Sequence, residues 1–213
     1  MNMMADLPPR ETTLESGGYI KGVATALVTQ NQDDENLCRV KVSYPWHDKP
    51  RDSHWARLAM PMAGAQRGMV LIPEVGDEVI VAFEREDLRF PVVLGAVWNG
   101  KDKPPLANDD GKNDKRIWKS RKKHYLLFDD GTQGSVVLAH EKGRMVTFDD
   151  NGIVLKDENG NQVKIESASG NVTIQANGAL SIKAATVSIE ATGTLDLKAN
   201  GTLSVRGSLV NIN

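Results

Sequence analysis

The residues that could bind a metal or form a disulfide are few and widely separated. The chain has four histidines, His47, His54, His124 and His140, and one cysteine, Cys38. Structural zinc sites take cysteine and histidine ligands at short, regular spacings, and these five residues have no such spacing. A single cysteine forms no internal disulfide, so the fold needs no oxidising compartment. The sequence predicts no metal site and no cofactor.

Two pairs of adjacent carboxylates are the remaining candidates for acid–base catalysis. Asp129-Asp130 precedes Gly131, and Asp149-Asp150 precedes Asn151-Gly152. Adjacent side chains of a strand point to opposite faces, so neither pair would converge on one substrate atom. Asp followed by Gly or Asn-Gly is also typical of turns. We interpret both pairs as turns and predict that the chain is not an enzyme.

An aromatic platform for nucleic acid would need positive charge around it. Trp46, Trp55 and Trp98 could stack on bases, but the segment before Leu106 has 12 Lys+Arg and 15 Asp+Glu. That balance has the wrong sign for a phosphate groove. We therefore predict no nucleic-acid partner and interpret the rings as core or interface. The basic run at 112–123 is interpreted as a solvated linker, or else as a contact with a neighbouring protein.

The elements that would position these residues are short β-strands, which predict an all-β fold. Segments 19–30, 38–44, 55–59, 78–83 and 91–98 are rich in β-formers or alternate with period two, with Gly or Pro between them. No segment has an amphipathic helical period. These strands predict a small closed barrel over residues 18–105, after a flexible segment at 1–17.

The amino-acid composition of the chain changes towards its C-terminus. All aromatic residues lie between Tyr19 and Phe148, and residues 172–213 contain no ring and no proline. Two large aliphatic residues flank one polar residue every seven or eight positions in this last segment, with Asn-Gly, Thr-Gly or Gly-Ser in most turns. The pairs are Val172 and Ile174, Leu180 and Ile182, Val187 and Ile189, Leu195 and Leu197, Leu203 and Val205, and Val210 and Ile212.

This repeat has one apolar face and nothing of its own to cover it. A coil of a single-chain solenoid takes about 20 residues or more, whereas a unit of seven or eight residues is one strand and one corner. Three chains around one axis would bring the apolar faces together. We therefore predict that 126–213 forms an intertwined triple-stranded β-helix in an obligate homotrimer, with the twelve aliphatics as its core and 106–125 as a linker.

The barrel-like region also carries motifs of a known family. They are Gly22, Arg39-Val40-Lys41-Val42, Tyr44-Pro45, Trp55-Ala56-Arg57, Ala63-Gly64, Gly68, Pro73-Glu74-Val75-Gly76-Asp77-Glu78-Val79, Phe83, Pro91-Val92-Val93-Leu94-Gly95 and Pro104-Pro105. In order and spacing they resemble the OB-fold domain of phage baseplate assembly protein V and of the VgrG spike of type VI secretion. Residues 116–130 resemble the start of the β-helix in that family.

The resemblance implies a homotrimeric central spike of a contractile injection machine. The OB-fold end would contact a hub protein, with baseplate and inner-tube proteins nearby, and the β-helix would be a needle that meets the target membrane only transiently. Such a spike is assembled in the bacterial cytoplasm and acts at or beyond the cell envelope. The VgrG hub domain is missing before the barrel, so a separate hub protein is expected.

The end of the needle departs from the pattern of some phage spikes. It has no His-x-His motif, so we expect a separate PAAR-type tip protein to dock on Leu209, Val210, Asn211, Ile212 and Asn213. No apolar stretch approaches 18 residues and residues 1–13 lack an apolar signal region, so we expect a soluble protein without a Sec signal or membrane anchor.

Two other functions stay open. One is a carbohydrate-active β-helix enzyme such as a phage depolymerase, which would need carboxylates and rings along a groove. The other is a passive trimeric adhesin stalk, which the barrel-like half argues against.

Overall fold

The computed structural model of the chain describes residues 20–47 and 52–212. The segment predicted to be flexible, 1–17, and the predicted docking residue Asn213 lie outside the described residues. The chain divides into two units, 1–107 and 108–213. The described elements are β-strands and one 3₁₀ turn at Glu84–Glu86, which confirms the all-β prediction. None of the described residues forms a helix long and apolar enough to cross a membrane.

The first unit is built on one five-stranded sheet and a short hairpin. In the sheet the strand order is β2-β1-β6-β7-β3, and only the β3–β7 pair is parallel. A bridge between Val40 and Ala56 connects the two edges, so the sheet curls back on itself as in an OB fold. The strands are β1 Val23–Gln30, β2 Lys41–Ser43, β3 Arg57–Leu58, β4 Ala63–Gly64, β5 Arg67–Gly68, β6 Glu78–Phe83 and β7 Pro91–Ala96.

Alternation along these strands produces the core of the first unit. In β6, Val79, Val81 and Phe83 point inwards, while the residues between them are only partly buried. The five segments that the sequence analysis assigned to strands all contain one of the observed strands of the sheet. The buried apolar side chains are Ala26, Val28, Val40, Val42, Tyr44, Ala56, Val79, Val81, Phe83 and Val93.

A buried carboxylate organises the loop between β1 and β2. The Asp33 side chain is 2% exposed and accepts two hydrogen bonds of 2.8 Å from the Arg39 guanidinium. It also accepts backbone N–H bonds from Glu35 and Leu37, each at 3.1 Å. The paired Arg39 guanidinium holds the pKa of Asp33 well below its usual range, and the backbone N–H donors lower this pKa further by a smaller amount. Bidentate pairing of this kind fixes geometry as well as charge.

The second unit contains a seven-stranded antiparallel meander in which each strand pairs with the next. Its first strand, β8, falls inside the segment predicted as a linker. Gly152 begins the fifth strand with φ of 140°, and a Cβ there would lie 1.9 Å from the Ile165 carbonyl oxygen, so only glycine fits. The strands are β8 Lys115–Lys119, β9 Tyr125–Asp129, β10 Ser135–Ala139, β11 Met145–Asp149, β12 Gly152–Lys156, β13 Gln162–Glu166 and β14 Val172–Gln175.

The chain changes character after β14. Residues 176–212, all of which the structure describes, form no strand within the single chain. The strands predicted from Leu180 onwards therefore have no hydrogen-bonded ladder of their own. The triple-stranded β-helix stays a prediction, because its ladder would run between copies of the chain.

Candidate assembly interface

The register of the second unit places most of its large apolar residues on one side of the sheet, which we call the apolar face. Neighbouring strands pair so that alternate residues line up across the sheet in two rows. One row is Trp118, Leu126, Leu138, Val146, Leu155, Val163 and Ile174. The other is Phe128, Val136, Phe148, Ile153, Ile165 and Val172.

No element formed by the described residues 108–212 packs over this face. Trp118 is 57% exposed, Leu138 59% and Val172 63%. Among the described residues of this unit, Ala139 is the single fully buried apolar side chain. Soluble monomers rarely expose a contiguous apolar patch larger than a few hundred Å². The apolar face therefore has the character of an interface.

A groove of about 620 Å³ lies on the apolar face. Leu138, Val146, Leu155 and Ile174 contribute to its lining, and so does Leu180, the first repeat residue after the sheet. An apolar lining of this kind is suited to contact with apolar side chains from elsewhere.

The twelve aliphatics predicted to form a trimer core are all exposed in the single chain, from 47% for Val210 to 92% for Ile212. Two of them, Ile174 and Leu180, lie together in the lining of the groove, and Val172 begins β14. The others follow along 182–212. Of the predicted docking residues, Leu209 is 76% exposed. Both assignments stay predictions.

Two of the four histidines come together, which the sequence analysis did not anticipate. The His124 and His140 rings lie 4.3 Å apart, centroid to centroid. Each Nδ1 accepts a backbone N–H at 3.2 Å, from Glu141 and Lys142 respectively. The β9–β10 register would have revealed the pair, since both residues immediately flank paired strand ends. Among the described residues, no three His, Cys, Asp or Glu side chains are grouped to hold a metal ion.

The carboxylate pairs lie where β9 and β11 end and the following turns begin. Asp129 Oδ1 accepts the Gly131 N–H at 3.0 Å. Asp149 Oδ1 accepts the N–H groups of Asn151 at 2.8 Å and Gly152 at 3.1 Å. These are side-chain caps of turns, and they confirm the interpretation made from the sequence.

The tryptophans of the first unit differ in their surroundings. Trp46 packs against Tyr44 with ring centroids 5.3 Å apart and donates its indole N–H to the Thr25 carbonyl at 2.9 Å. The Trp55 ring has the Lys41 ammonium 4.9 Å from its centroid. Trp98 is 67% exposed.

Comparison with known proteins identifies the first unit. Residues 24–98 match the family model of the type VI secretion system/phage-baseplate injector OB domain. The match begins within β1 and ends just after β7. It confirms the resemblance to a VgrG-like baseplate spike that the motifs of the barrel had indicated.

Curated relatives show the same similarity. The chain is 36% identical over 101 residues to the type VI secretion system spike protein VgrG3 of Vibrio cholerae, covering 44% of this chain and 10% of that protein. It is also 36% identical over 101 residues to VgrG2a of Pseudomonas aeruginosa, covering 44% and 12%. The actin cross-linking toxin VgrG1 of V. cholerae is 31% identical over 101 residues, covering 44% and 9%. The chain thus spans about a tenth of the length of these relatives.

Proposed function

We propose that this chain is the central spike of a phage-tail-like contractile injection machine, acting as a homotrimer whose C-terminal part is a needle. One observation carries the proposal: in the single chain, much of the apolar side of an ordered sheet and all twelve aliphatics of a regular repeat are exposed. The similarity of the barrel to spike proteins supports the same reading.

Three copies would cover this exposed apolar side better than one or two. The repeat of seven or eight residues supplies one strand and one corner, which is one side of a triangular cross-section. Each copy would place its apolar face on the common axis, and its unpaired backbone N–H and C=O groups would form hydrogen bonds with those of its neighbours. We propose that the twelve aliphatics from Val172 to Ile212 form the interior of this β-helix.

The mechanism is mechanical. Contraction of the machine would drive the needle into a target membrane, which it contacts only during that event. Hydrogen bonds between chains at every strand would make the rod resist bending, and the fold would be inseparable from the trimer. No catalytic step is required, so we propose a non-enzymatic role without a cofactor.

The two ends of the spike would bind different partners. The barrel end would contact a hub protein, together with baseplate and inner-tube proteins. At the other end, Leu209, Val210, Asn211, Ile212 and Asn213 would receive a PAAR-type tip protein, which would cover the exposed Leu209 and Ile212. Assembly would take place in the bacterial cytoplasm and action at or beyond the envelope. The depolymerase and the adhesin stalk are not favoured by the similarity to spike proteins.

The native mass of the purified full chain tests the proposal. Light scattering should give about three times the chain mass of 23.3 kDa, with no monomer on dilution. A folded monomer of 23.3 kDa would overturn it. Co-purification of a small cone-shaped protein with the full chain, lost on truncation after Ser208, tests the tip assignment separately.

A further inference from the structure

The strand ends of the seven-stranded sheet form two rims of opposite charge. Strand pairing places Lys115, Asp129, Ser135, Asp149 and Glu166 along one rim, which we call the acidic rim. The other rim, which we call the basic rim, contains three turns and the strand ends that they connect. These turns are at 120–124, 140–144 and 157–161. The two rims are separated by the length of the strands.

The acidic rim has six carboxylates against two cations of its own, Lys115 and Arg116, and a third cation, Lys164, reaches this rim to pair with Glu166 at 2.7 Å. Asp129 and Asp149 cap turns, as described above, and Asp130 pairs with Arg116. Asp150 is exposed at the tip of the β11–β12 turn. The carboxylates of this rim are Asp114, Asp129, Asp130, Asp149, Asp150 and Glu166.

The basic rim has seven cations against three carboxylates, which are Glu141, Asp157 and Glu158. Arg144 pairs with Glu158 at 2.6 Å, and Lys122 and Lys142 are exposed in their turns. The cations are Lys119, Arg121, Lys122, Lys123, Lys142, Arg144 and Lys156. Turn capping accounts for Asp129 and Asp149. It does not account for Asp150, Lys122 and Lys142, which are exposed in their turns and could carry either charge.

We propose that the acidic rim of one copy docks against the basic rim of the next copy, closing a ring of three. The inference rests on the proposed homotrimer and adds the way in which its subunits meet. A ring of three copies uses a head-to-tail contact in which each copy presents two different surfaces. If the apolar faces line the axis, the strand ends of one sheet meet the opposite strand ends of its neighbour at each corner.

The positions of the charged turns along the sheet match this arrangement. The β10–β11 turn with Lys142 and the β11–β12 turn with Asp150 lie on opposite rims, one strand apart. Neighbouring strands are about 4.8 Å apart, which a lysine side chain spans. The rims would therefore select head-to-tail closure with all copies in register, because a reversed copy would bring like charges together.

A charge-swap cycle at Lys142 and Asp150 tests this contact in the full-length protein. Lys142→Glu and Asp150→Lys each place like charges in three corners of a trimer. We expect each single variant to dissociate in urea roughly tenfold faster than the wild type at about 0.1 M salt, with a much smaller difference at about 1 M. The double variant should return to within about twofold of the wild type, because the charges are again complementary. Lys101→Glu, in the first unit, makes the same change of charge as Lys142→Glu and should have no effect.

The outcomes separate this inference from the proposed function. A wild-type protein that is monomeric would overturn both. A trimeric wild type whose dissociation is unchanged by both single reversals would overturn the rim contact alone. So would a double variant that dissociates at least as fast as the faster single variant. Recovery in the double variant supports the contact, because loss of turn structure at two separate sites would accumulate instead.

Discussion

The barrel and the seven-stranded sheet use the same alternating pattern but differ in what becomes of the apolar face. The barrel buries ten apolar side chains, including Val79 and Val81, because its sheet curls until alternate residues face one another. The meander has more strands and buries one, Ala139. Alternation thus specifies which side of a strand is apolar, and topology decides whether the same chain covers it.

Placing a charge on the apolar side of the repeat should have the largest effect on assembly. Replacing Ile182 with Asp would place three carboxylates on the axis of a trimer, where burial of unpaired charge is prohibitive. We expect complete loss of soluble trimer in size-exclusion chromatography with light scattering.

Ser181→Asp is the matched control, because position 181 would point to the opposite side of the proposed strand. It should leave the trimer intact. An Ile182→Asp protein with an unaltered trimer mass would contradict the axial placement of the repeat.

A pair of identical truncations sharpens the comparison between the units. Val81 is fully buried within one chain, whereas Val187 is 53% exposed. Val81→Ala should lower the free energy of unfolding of the barrel by about 2 kcal/mol, independently of protein concentration. Val187→Ala should cost a similar amount per chain, about 2 kcal/mol, through a transition whose midpoint depends on concentration.

Chemical unfolding at two protein concentrations measures both effects. If Val187 is exposed in the native protein as it is in one chain, its truncation would change stability very little. That result would contradict the account of the second unit while leaving the barrel untouched.

The smallest effect is expected at the buried charge of the barrel. The pKa of Asp33 is lower in the folded state than in the unfolded state. The ionised side chain therefore contributes fully to stability above the pKa of the unfolded state, near pH 4. This contribution is lost as the pH falls below that value. Asp33→Asn should therefore lower the barrel's melting temperature at neutral pH, and the gap from wild type should narrow below about pH 4.

The neighbouring exposed residue provides the control. Asp34→Asn makes the same chemical change without touching Arg39 and should leave the melting temperature unchanged. A gap for Asp33→Asn that stays constant from pH 7 to pH 3 would show that the ion pair is not the cause.

Sequence reasoning located strands where the pattern was unambiguous. The six alternating residues Glu78–Phe83 were assigned as the strand that the structure shows. The other four segments that were assigned to strands in the first unit likewise each contain an observed strand, because Gly, Pro, Asn or Asp separates them clearly. The carboxylate turns were correct for the same reason.

What escaped prediction depends on non-local structure. β8 was assigned to a linker because its lysines and arginine concealed Ile117 and Trp118, although basic residues suit an exposed edge strand. The role of Asp33 and the contact of His124 with His140 required knowledge of loop geometry and register. In the proposed trimer several chains would share the interior of the second unit, and no pattern within one chain can place contacts between chains.

Amide hydrogen exchange in residues 180–212 of the native protein tests the central claim most directly. These residues form no strand within one chain, so their amides can be protected only by hydrogen bonds to other copies. The account predicts exchange at least about a thousandfold slower than for an unstructured chain, comparable to the core strands of the barrel. Exchange at the unstructured rate in this segment, while β6 stays protected, would contradict it.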